Sequence, residues 1–373
     1  SIEEIGLFSL ASLPYAWKFL WAPALDLYTP PFFGRRRGWT IVLQVILMLL
    51  IASMGFFSPA QNLKSIAILA VLLAFFSASQ DIALDAHRRE LLEDYELGIG
   101  NSYFVNAYRM SGLVPGSLAL ILADQISWQE VHLVVALFML VGILCSIWMD
   151  EPCDPSPDVQ DSKRHFLSNM VLPIKDFFVN HTARKAILIL IFLMLYKLGD
   201  QMATALATPF YLDMGFSKTE IGSVVKVASM WSSIFGGFVG GVIMIKIGIN
   251  RALWIFGVIQ LVSILGFALL SQVGNDPFWL FGVVSFEYLG VGLGTAAFVA
   301  FIAQCTSKTY SATQIALLTG VMGLSRTVAG STSGFIVAHL DYTYFFLICT
   351  VLAFPGMLML PFVAPWSSGE EPP

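Results

Sequence analysis

The chain has 373 residues, of which 57% are hydrophobic and only 12% charged, and its formal net charge is −5. Soluble domains carry about 25% charged residues, so this composition, with a mean hydropathy of +0.76, excludes a soluble domain and indicates a membrane protein with several spans. The few charges form no basic stripe, which argues against nucleic-acid binding, and the spacing of the four cysteines suits neither a disulfide framework nor a metal site.

Apolar runs of about 20 residues recur along the chain, the length that a helix needs to cross some 30 Å of hydrocarbon. The sequence predicts eleven spans, at 4–25, 39–57, 64–86, 99–122, 129–149, 184–211, 219–245, 252–271, 277–304, 311–338 and 342–364. The longest polar interruption, 150–183, is predicted to be a linker. Within it, apolar residues recur every three or four positions, namely Leu167, Met170, Val171, Ile174 and Phe178. This spacing predicts an amphipathic helix, which lies either on the membrane surface or against the protein.

Positive charges orient the spans. Alternate loops hold thirteen Lys and Arg residues, whereas the opposite loops hold only Lys64 and Lys218. Because cytoplasmic loops carry an excess of Lys and Arg, the linker and the segment 26–39, here called the arginine hinge, are predicted to be cytoplasmic.

An internal repeat predicts the domain organisation. The motif Ser-x-x-Glu-Ile-Gly at 1–6 recurs at 217–222, each copy reading as a capping box that opens a helix. The arginine hinge has a degraded counterpart at 241–251. Two halves in parallel register joined by a cytoplasmic linker are the architecture of the major facilitator superfamily.

We therefore predict an all-α integral membrane fold of that superfamily. Its N-terminal half is 1–149, its linker 150–183 and its C-terminal half 184–373. The span 184–211 precedes the second copy of the motif, and nothing precedes the first copy. We expect the first of twelve helices to be missing, so that these halves hold the second to sixth and the seventh to twelfth helices.

Ionisable side chains inside the spans are the candidate functional residues, because burying charge in a membrane is costly and usually marks a substrate path or a proton relay. They are Lys18, Asp81, Asp85, Arg109, Lys197, Asp200, Lys226, Glu287 and Arg326. For proton coupling we single out Asp81, Lys18 and Glu287. For substrate binding the candidates are Lys18, Gln80, Arg109, Lys197, Asp200, Lys226, Glu287 and Arg326. For gating they are Asp26, Gly34, Arg35, Arg36 and Asp85.

Several of these residues have a second interpretation. Asp81 is either a proton carrier, its pKa raised by burial and lowered by a nearby cation, or the permanent partner of Lys18. Lys197 and Asp200 lie three residues apart and suit a structural pair equally well. The two arginines Arg109 and Arg326 either bind an anionic substrate or neutralise a carboxylate.

The hinge and its neighbours resemble one family. Trp-Lys-Phe-Leu-Trp-Ala-Pro at 17–23 and Tyr-Thr-Pro-Pro-Phe-Phe-Gly-Arg-Arg-Arg-Gly-Trp at 28–39 are similar to the AmpG-type muropeptide permeases. The stretches 77–82, 195–200, 294–300 and 311–314 resemble them too, so the similarity covers nearly the whole chain. Acetyl-coenzyme A transporters resemble the stretches 18–26 and 80–85.

This resemblance implies a monomeric, multi-pass permease of the inner membrane of a Gram-negative bacterium. Such a permease imports N-acetylglucosaminyl-1,6-anhydro-N-acetylmuramic acid, with or without its peptide, for cell-wall recycling. Its uptake is thought to be driven by protons, and it feeds the induction of β-lactamase and so antibiotic resistance. A transporter of acetyl-coenzyme A or of another organic anion is the alternative.

An intramembrane enzyme is the rival class, and the sequence argues against it. Neither a GxGD nor an HExxH motif occurs, and the five histidines lie at span ends or in loops. We therefore predict a transporter with no enzymatic activity, no cofactor and no metal.

Overall fold

The computed structural model describes residues 13–58, 62–123, 125–152, 166–217 and 220–366. Within these ranges the regular structure is helical, with no β-strand. The α-helices are α1 Leu13–Trp17, α2 Ala22–Leu27, α3 Arg35–Met54, α4 Leu63–Leu91, α5 Leu97–Ser111, α6 Ala119–Ala123, α7 Trp128–Leu137, α8 Met139–Trp148, α9 Phe166–His181, α10 Ala183–Leu195, α11 Leu198–Ala205, α12 Ala207–Asp213, α13 Lys226–Val273, α14 Pro277–Gln304, α15 Ser311–His339 and α16 Tyr342–Val363. Short 3₁₀ or π segments occupy Lys18–Leu20, Val114–Leu118 and Ile221–Val225.

Seven helical stretches of the described chain are long and apolar enough to cross a membrane. They cover eight of the eleven predicted spans, because the longest stretch, α13, is two helices that meet at Gly248 (φ 77°, ψ 164°). The loop predicted between 245 and 252 therefore lies where the helix breaks. The predicted spans 99–122 and 311–338 are helical as well, and 4–25 begins before the described residues.

Prolines interrupt the helices of three predicted spans. A proline lacks the N–H that would bond to the residue four positions earlier, and its ring clashes with that carbonyl. Pro23 opens α2 after a 3₁₀ turn, and Pro115 lies in the π segment Val114–Leu118. Pro209 follows the break at Leu206 between α11 and α12. The predicted spans 4–25, 99–122 and 184–211 therefore contain helix breaks.

The chain divides into two compact units. Unit 1 comprises Ser1–Glu93, Met110–Asn180 and Thr306–Gly320, and unit 2 comprises Asp94–Arg109, His181–Cys305 and Val321–Pro373. This grouping by packing differs from the division into sequence halves at 149 and 184, which stays a prediction.

Each unit has its own apolar core. In unit 1, Ala22, Leu43, Ile82 and Ala312 are buried together. In unit 2 the core contains an aromatic cluster, in which Phe346 lies 4.9 Å from Phe210 and 5.1 Å from Phe267 between ring centroids. Such pairs add to the stabilisation by buried area alone.

The second capping box is present. The backbone N–H of Ser217 donates to Glu220 Oε2 at 2.8 Å, and the Glu220 N–H donates to the Ser217 hydroxyl at 3.2 Å. This arrangement satisfies donors that the first turn of a helix leaves free. The first copy of the motif, at 1–6, lies outside the described residues.

The predicted linker helix is α9, and it packs on protein along a face next to the predicted one. Pro173 and Phe177 are buried, whereas Ile174 is exposed. The Gln314 amide holds this helix by donating to the Pro173 carbonyl at 3.1 Å and to Asp176 Oδ2 at 2.9 Å. Of the remaining predicted apolar positions, the side chains of Leu167, Met170 and Val171 lie outside the described part.

Glycines bring α13 and α14 into close contact. A Cβ added at Gly236 would lie less than 3.0 Å from the Leu289 carbonyl, and one added at Gly292 would lie as close to the Ser233 carbonyl. Small residues at helix interfaces let backbones approach in this way.

We predict that Gly292→Ala lowers the melting temperature of the purified protein in detergent by several degrees, because overpacking costs about 1–3 kcal/mol. The matched control is Gly282→Ala on the same helix, where an added Cβ meets nothing within 4 Å. The control should leave the melting temperature unchanged or raise it, since alanine favours helix. Equal melting temperatures for the two variants would contradict this packing.

Candidate functional site

The arginine hinge is built around the first turn of α3. Gly34 adopts a positive φ of 81° just before the helix, a conformation that glycine reaches without strain. The backbone N–H groups of Arg36 and Arg37 donate to the Glu151 carboxylate at 2.8 and 2.9 Å. An added Cβ at Gly34 would lie less than 3.0 Å from the Glu151 side chain. Gly34 therefore permits both the turn and the carboxylate that caps the helix.

Arg36 is the centre of this hinge. Its side chain is only 1% exposed and pairs with two carboxylates, Asp26 Oδ1 at 2.7 Å and Glu90 at 2.5 to 3.1 Å. Arg35 adds a second cation by donating to the Asp26 carbonyl at 3.1 Å, with Glu90 at 3.5 Å. A buried arginine is tolerated because such forked, charge-assisted contacts replace its water.

The same carboxylates bind the beginning of α15. Thr313 donates to Asp26 Oδ2 from its backbone N–H at 3.0 Å and from its hydroxyl at 2.6 Å. The Ser311 hydroxyl donates to Glu90 Oε1 at 2.6 Å. We call Asp26, Arg36, Glu90, Ser311 and Thr313 the hinge network. All five residues belong to unit 1, and together they fasten the start of α15 to the ends of α2, α3 and α4.

Tyr310, in the loop before α15, lies near the hinge network. Burial raises the pKa of Tyr310, and the charges of Asp176 and Asp26 raise it further.

Of the five predicted gating residues, Asp26, Gly34, Arg35 and Arg36 lie together. Asp85 does not join them, because it pairs with Arg88 on its own helix at 2.8 Å. Sequence reasoning missed four participants, Glu90, Glu151, Ser311 and Thr313. The signals were an acidic residue directly after two arginines at the end of α4 and hydroxyl residues that open α15.

A second charged group of unit 1 is the pair formed by Lys18 and Asp81. The Lys18 ammonium lies 3.3 Å from Asp81 Oδ2. The lysine side chain is 5% exposed and the aspartate side chain 42% exposed, so the pair is open on its acidic side. The predicted partner Gln80 is half-buried beside Asp81.

Unit 2 holds a group of three ionisable side chains, here called the acidic triad. The Lys197 ammonium lies 3.0 Å from Asp200 Oδ2, and both side chains are nearly buried. Glu287 is 0% exposed, and the charges of Asp200 and Lys197 both act on it. No hydrogen bond to either of its carboxylate oxygens is formed in the described part of the structure, and the Ser263 hydroxyl donates to the Gln260 carbonyl. Two carboxylates thus face one ammonium.

Of the three remaining substrate candidates, one lies near the acidic triad, one is exposed, and the side chain of the third is outside the described residues. Arg109 donates to the Ser233 carbonyl at 2.5 Å, and the charge of Asp200 acts on it. Lys226 is exposed at the start of α13. The side chain of Arg326 lies outside the described residues. Within the described ranges, no group of three or more His, Cys, Asp and Glu side chains could hold a metal ion.

The helices and the ion pairs buried among them define the class of this protein. It is a multi-pass, all-α membrane protein. The family model of the Major Facilitator Superfamily matches residues 1–295 and 198–373. The chain therefore belongs to the Major Facilitator Superfamily, as the repeat predicts.

Two relatives are similar over almost the whole chain. The chain is 48% identical over 372 residues to an uncharacterized protein of Haemophilus influenzae, covering 98% of this chain and 87% of the relative. It is 39% identical over 361 residues to the anhydromuropeptide permease of Escherichia coli K12, covering 96% of this chain and 72% of the relative. These findings confirm the predicted resemblance. Together with the membrane-length helices, they also confirm the predicted localisation in the inner membrane of a Gram-negative bacterium.

A solved structure supports the fold. The proton:xylose symporter XylE, bound to 6-bromo-6-deoxy-D-glucose, superimposes with a TM-score of 0.65 over 95% of this chain and 85% of the symporter. At 13% identity, this similarity concerns the fold alone.

We predict that Glu90→Gln destabilises the protein, because a hydrogen bond to a charged group is worth about 1.5–3 kcal/mol and Arg36 would keep only one carboxylate. The melting temperature in detergent should fall clearly below that of Glu93→Gln. Glu93 is 67% exposed and lies 3.8 Å from Lys308, a surface pair worth about 0–1 kcal/mol. If the two variants melted together, the hinge network would not be stabilising.

Proposed function

We propose that the protein is a secondary active transporter that imports anhydromuropeptides across the inner membrane. The observation that carries this proposal is the 39% identity to the E. coli anhydromuropeptide permease over 96% of the chain. Sugar–peptide cargo of this kind is anionic, and the nearly buried cations Lys18 and Lys197, with the half-buried Arg109, offer charge partners. Cell-wall recycling and the induction of β-lactamase follow as the cellular roles of such an importer.

Transport is proposed to proceed by alternating access, with the hinge network as a gate. Asp26 binds the start of α15 by accepting from the Thr313 N–H and hydroxyl, and Arg36 donates to the Ser311 hydroxyl. Such contacts can open and reform without leaving a charge unpaired, because Arg36 keeps Asp26 and Glu90.

Proton coupling is proposed to use the acidic triad, with Glu287 as the group that loads a proton. Within the triad, one ammonium balances one carboxylate, so a single proton on Glu287 leaves these three groups neutral. A fully buried carboxylate without a donor is stable only when it is neutral or finds a cation. Asp81 is the second candidate, but Lys18 already pairs with it and its side chain is partly exposed.

Uptake into proteoliposomes tests the coupling. We expect labelled N-acetylglucosaminyl-1,6-anhydro-N-acetylmuramic acid to accumulate faster with an inward proton gradient, and a protonophore to remove the difference. Uptake that ignores both the pH gradient and the membrane potential would rule the coupling out.

Competition separates the two substrate classes. We expect excess unlabelled muropeptide to block uptake and excess acetyl-coenzyme A to leave it unchanged. The reverse result would favour the alternative, an acetyl-coenzyme A transporter. The stretches 18–26 and 80–85, which resemble such transporters, support this alternative.

Two charge-neutralising variants locate the proton group. We expect Glu287→Gln to lose gradient-driven accumulation but to keep counterflow exchange, which needs no net proton movement. The same pattern in Asp81→Asn would assign the proton to the Lys18 pair. Glu220→Gln removes an exposed carboxylate of the capping box and is the control that should keep both activities. Full accumulation in both test variants would exclude both carboxylates from coupling.

A further inference from the structure

A cavity of about 200 Å³ lies in unit 2, away from the acidic triad, where α10 begins and α14 ends. One part of its wall is polar and the other apolar. The residues that matter here are His181, Lys185, Asn250 and Gln304 on the polar side and Ile189 and Phe301 on the apolar side. Transport, as proposed above, uses none of them.

The charge of this cavity is unbalanced. Lys185 is exposed and forms no ion pair in the part of the chain that the structure describes. None of the residues that line the cavity is Asp or Glu. The residues that line the cavity therefore include a cation and no carboxylate.

Polar groups line the same cavity as this cation. His181 Nε2 lies 2.8 Å from the Cys305 carbonyl, so this nitrogen carries its proton and the ring is held at the cavity wall. The amides of Asn250 and Gln304 line the same cavity. Amide N–H groups beside an ammonium are the donors that oxyanions accept from.

The cavity is expected to lie at the depth of the lipid headgroups. The Lys and Arg distribution predicts that the ends of α10 and α14 near this cavity face the cytoplasm. Basic pockets between spans on that side bind anionic lipid headgroups. Ile189 and Phe301, on the apolar side of the cavity, are buried, so the accessible part of its lining is the polar side.

We propose that this cavity is a binding site for a phosphate group on the cytoplasmic face, with Lys185 as its charge partner. A phosphate group there comes either from an anionic phospholipid or from free inorganic phosphate. The inference stands apart from the proposed transport function, since it depends on neither the substrate nor the proton.

Melting of the purified protein in detergent tests the site. Phosphatidylglycerol, phosphatidylcholine and inorganic phosphate are titrated separately, and the apparent Kd of each is read from the rise in melting temperature. We expect phosphatidylglycerol to stabilise the protein and Lys185→Gln to weaken its apparent Kd about fivefold, which corresponds to the loss of one Lys contact of about 1 kcal/mol.

Matched variants keep the test specific. Arg184→Gln removes the adjacent exposed cation, which does not line the cavity, and should leave the apparent Kd unchanged. Lys185→Arg keeps the charge and should bind like the parent protein. If inorganic phosphate alone gives the Lys185-dependent shift, free phosphate is the ligand and the site stands. Equal losses in Lys185→Gln and Arg184→Gln, or no shift with either ligand, would overturn the proposal.

Discussion

The pairing of one buried arginine with two carboxylates organises unit 1. Arg36 is almost fully removed from water, and a charge in that position is tolerated only with charged and hydrogen-bonding partners in place. Its partners come from α2 and α4, and those partners in turn bind α15. Four helix ends must therefore meet at one point for the arginine to be satisfied, and Glu151 holds the first turn of α3 in the required direction.

The acidic triad also contains buried charges, but one of them lacks a partner. In the hinge network, Arg36 and several hydroxyl or backbone donors bind two carboxylates, and the adjacent Arg35 adds a second cation, so every charge has a partner. In the triad, Lys197 serves Asp200, and Glu287 has no donor within the described residues. In the hinge network every charge is paired, whereas the acidic triad can take up a proton on Glu287. Whether every buried charge has a partner is the difference between the residues that we propose for gating and those that we propose for coupling.

Much of the fold was predictable because membrane thickness fixes the length of an apolar run. The capping box at Ser217 and the meeting of Asp26 with Arg36 were also predictable, since both use short, characteristic spacings. The helix breaks before Lys197 and at Leu206 were not, because hydropathy does not register a lost backbone hydrogen bond. Glu90 and Thr313 were missed since their partners lie 54 and 287 positions away, beyond any local pattern. Asp85 lies apart from the hinge network because it pairs with Arg88, and its role in gating stays a prediction.

The separation of Asp26 from Thr313 also has a consequence for synthesis. Arg36 and Glu90 are only 54 residues apart, so their pair can form while the early helices are being inserted. Thr313 leaves the ribosome 287 residues after Asp26, a delay of about 15–60 s at roughly 5–20 residues per second. During that interval Asp26 Oδ2 accepts hydrogen bonds from water instead of from Thr313. The newborn protein therefore carries its arginine pair long before it can fasten α15, and the hinge network is completed among the last contacts of the chain.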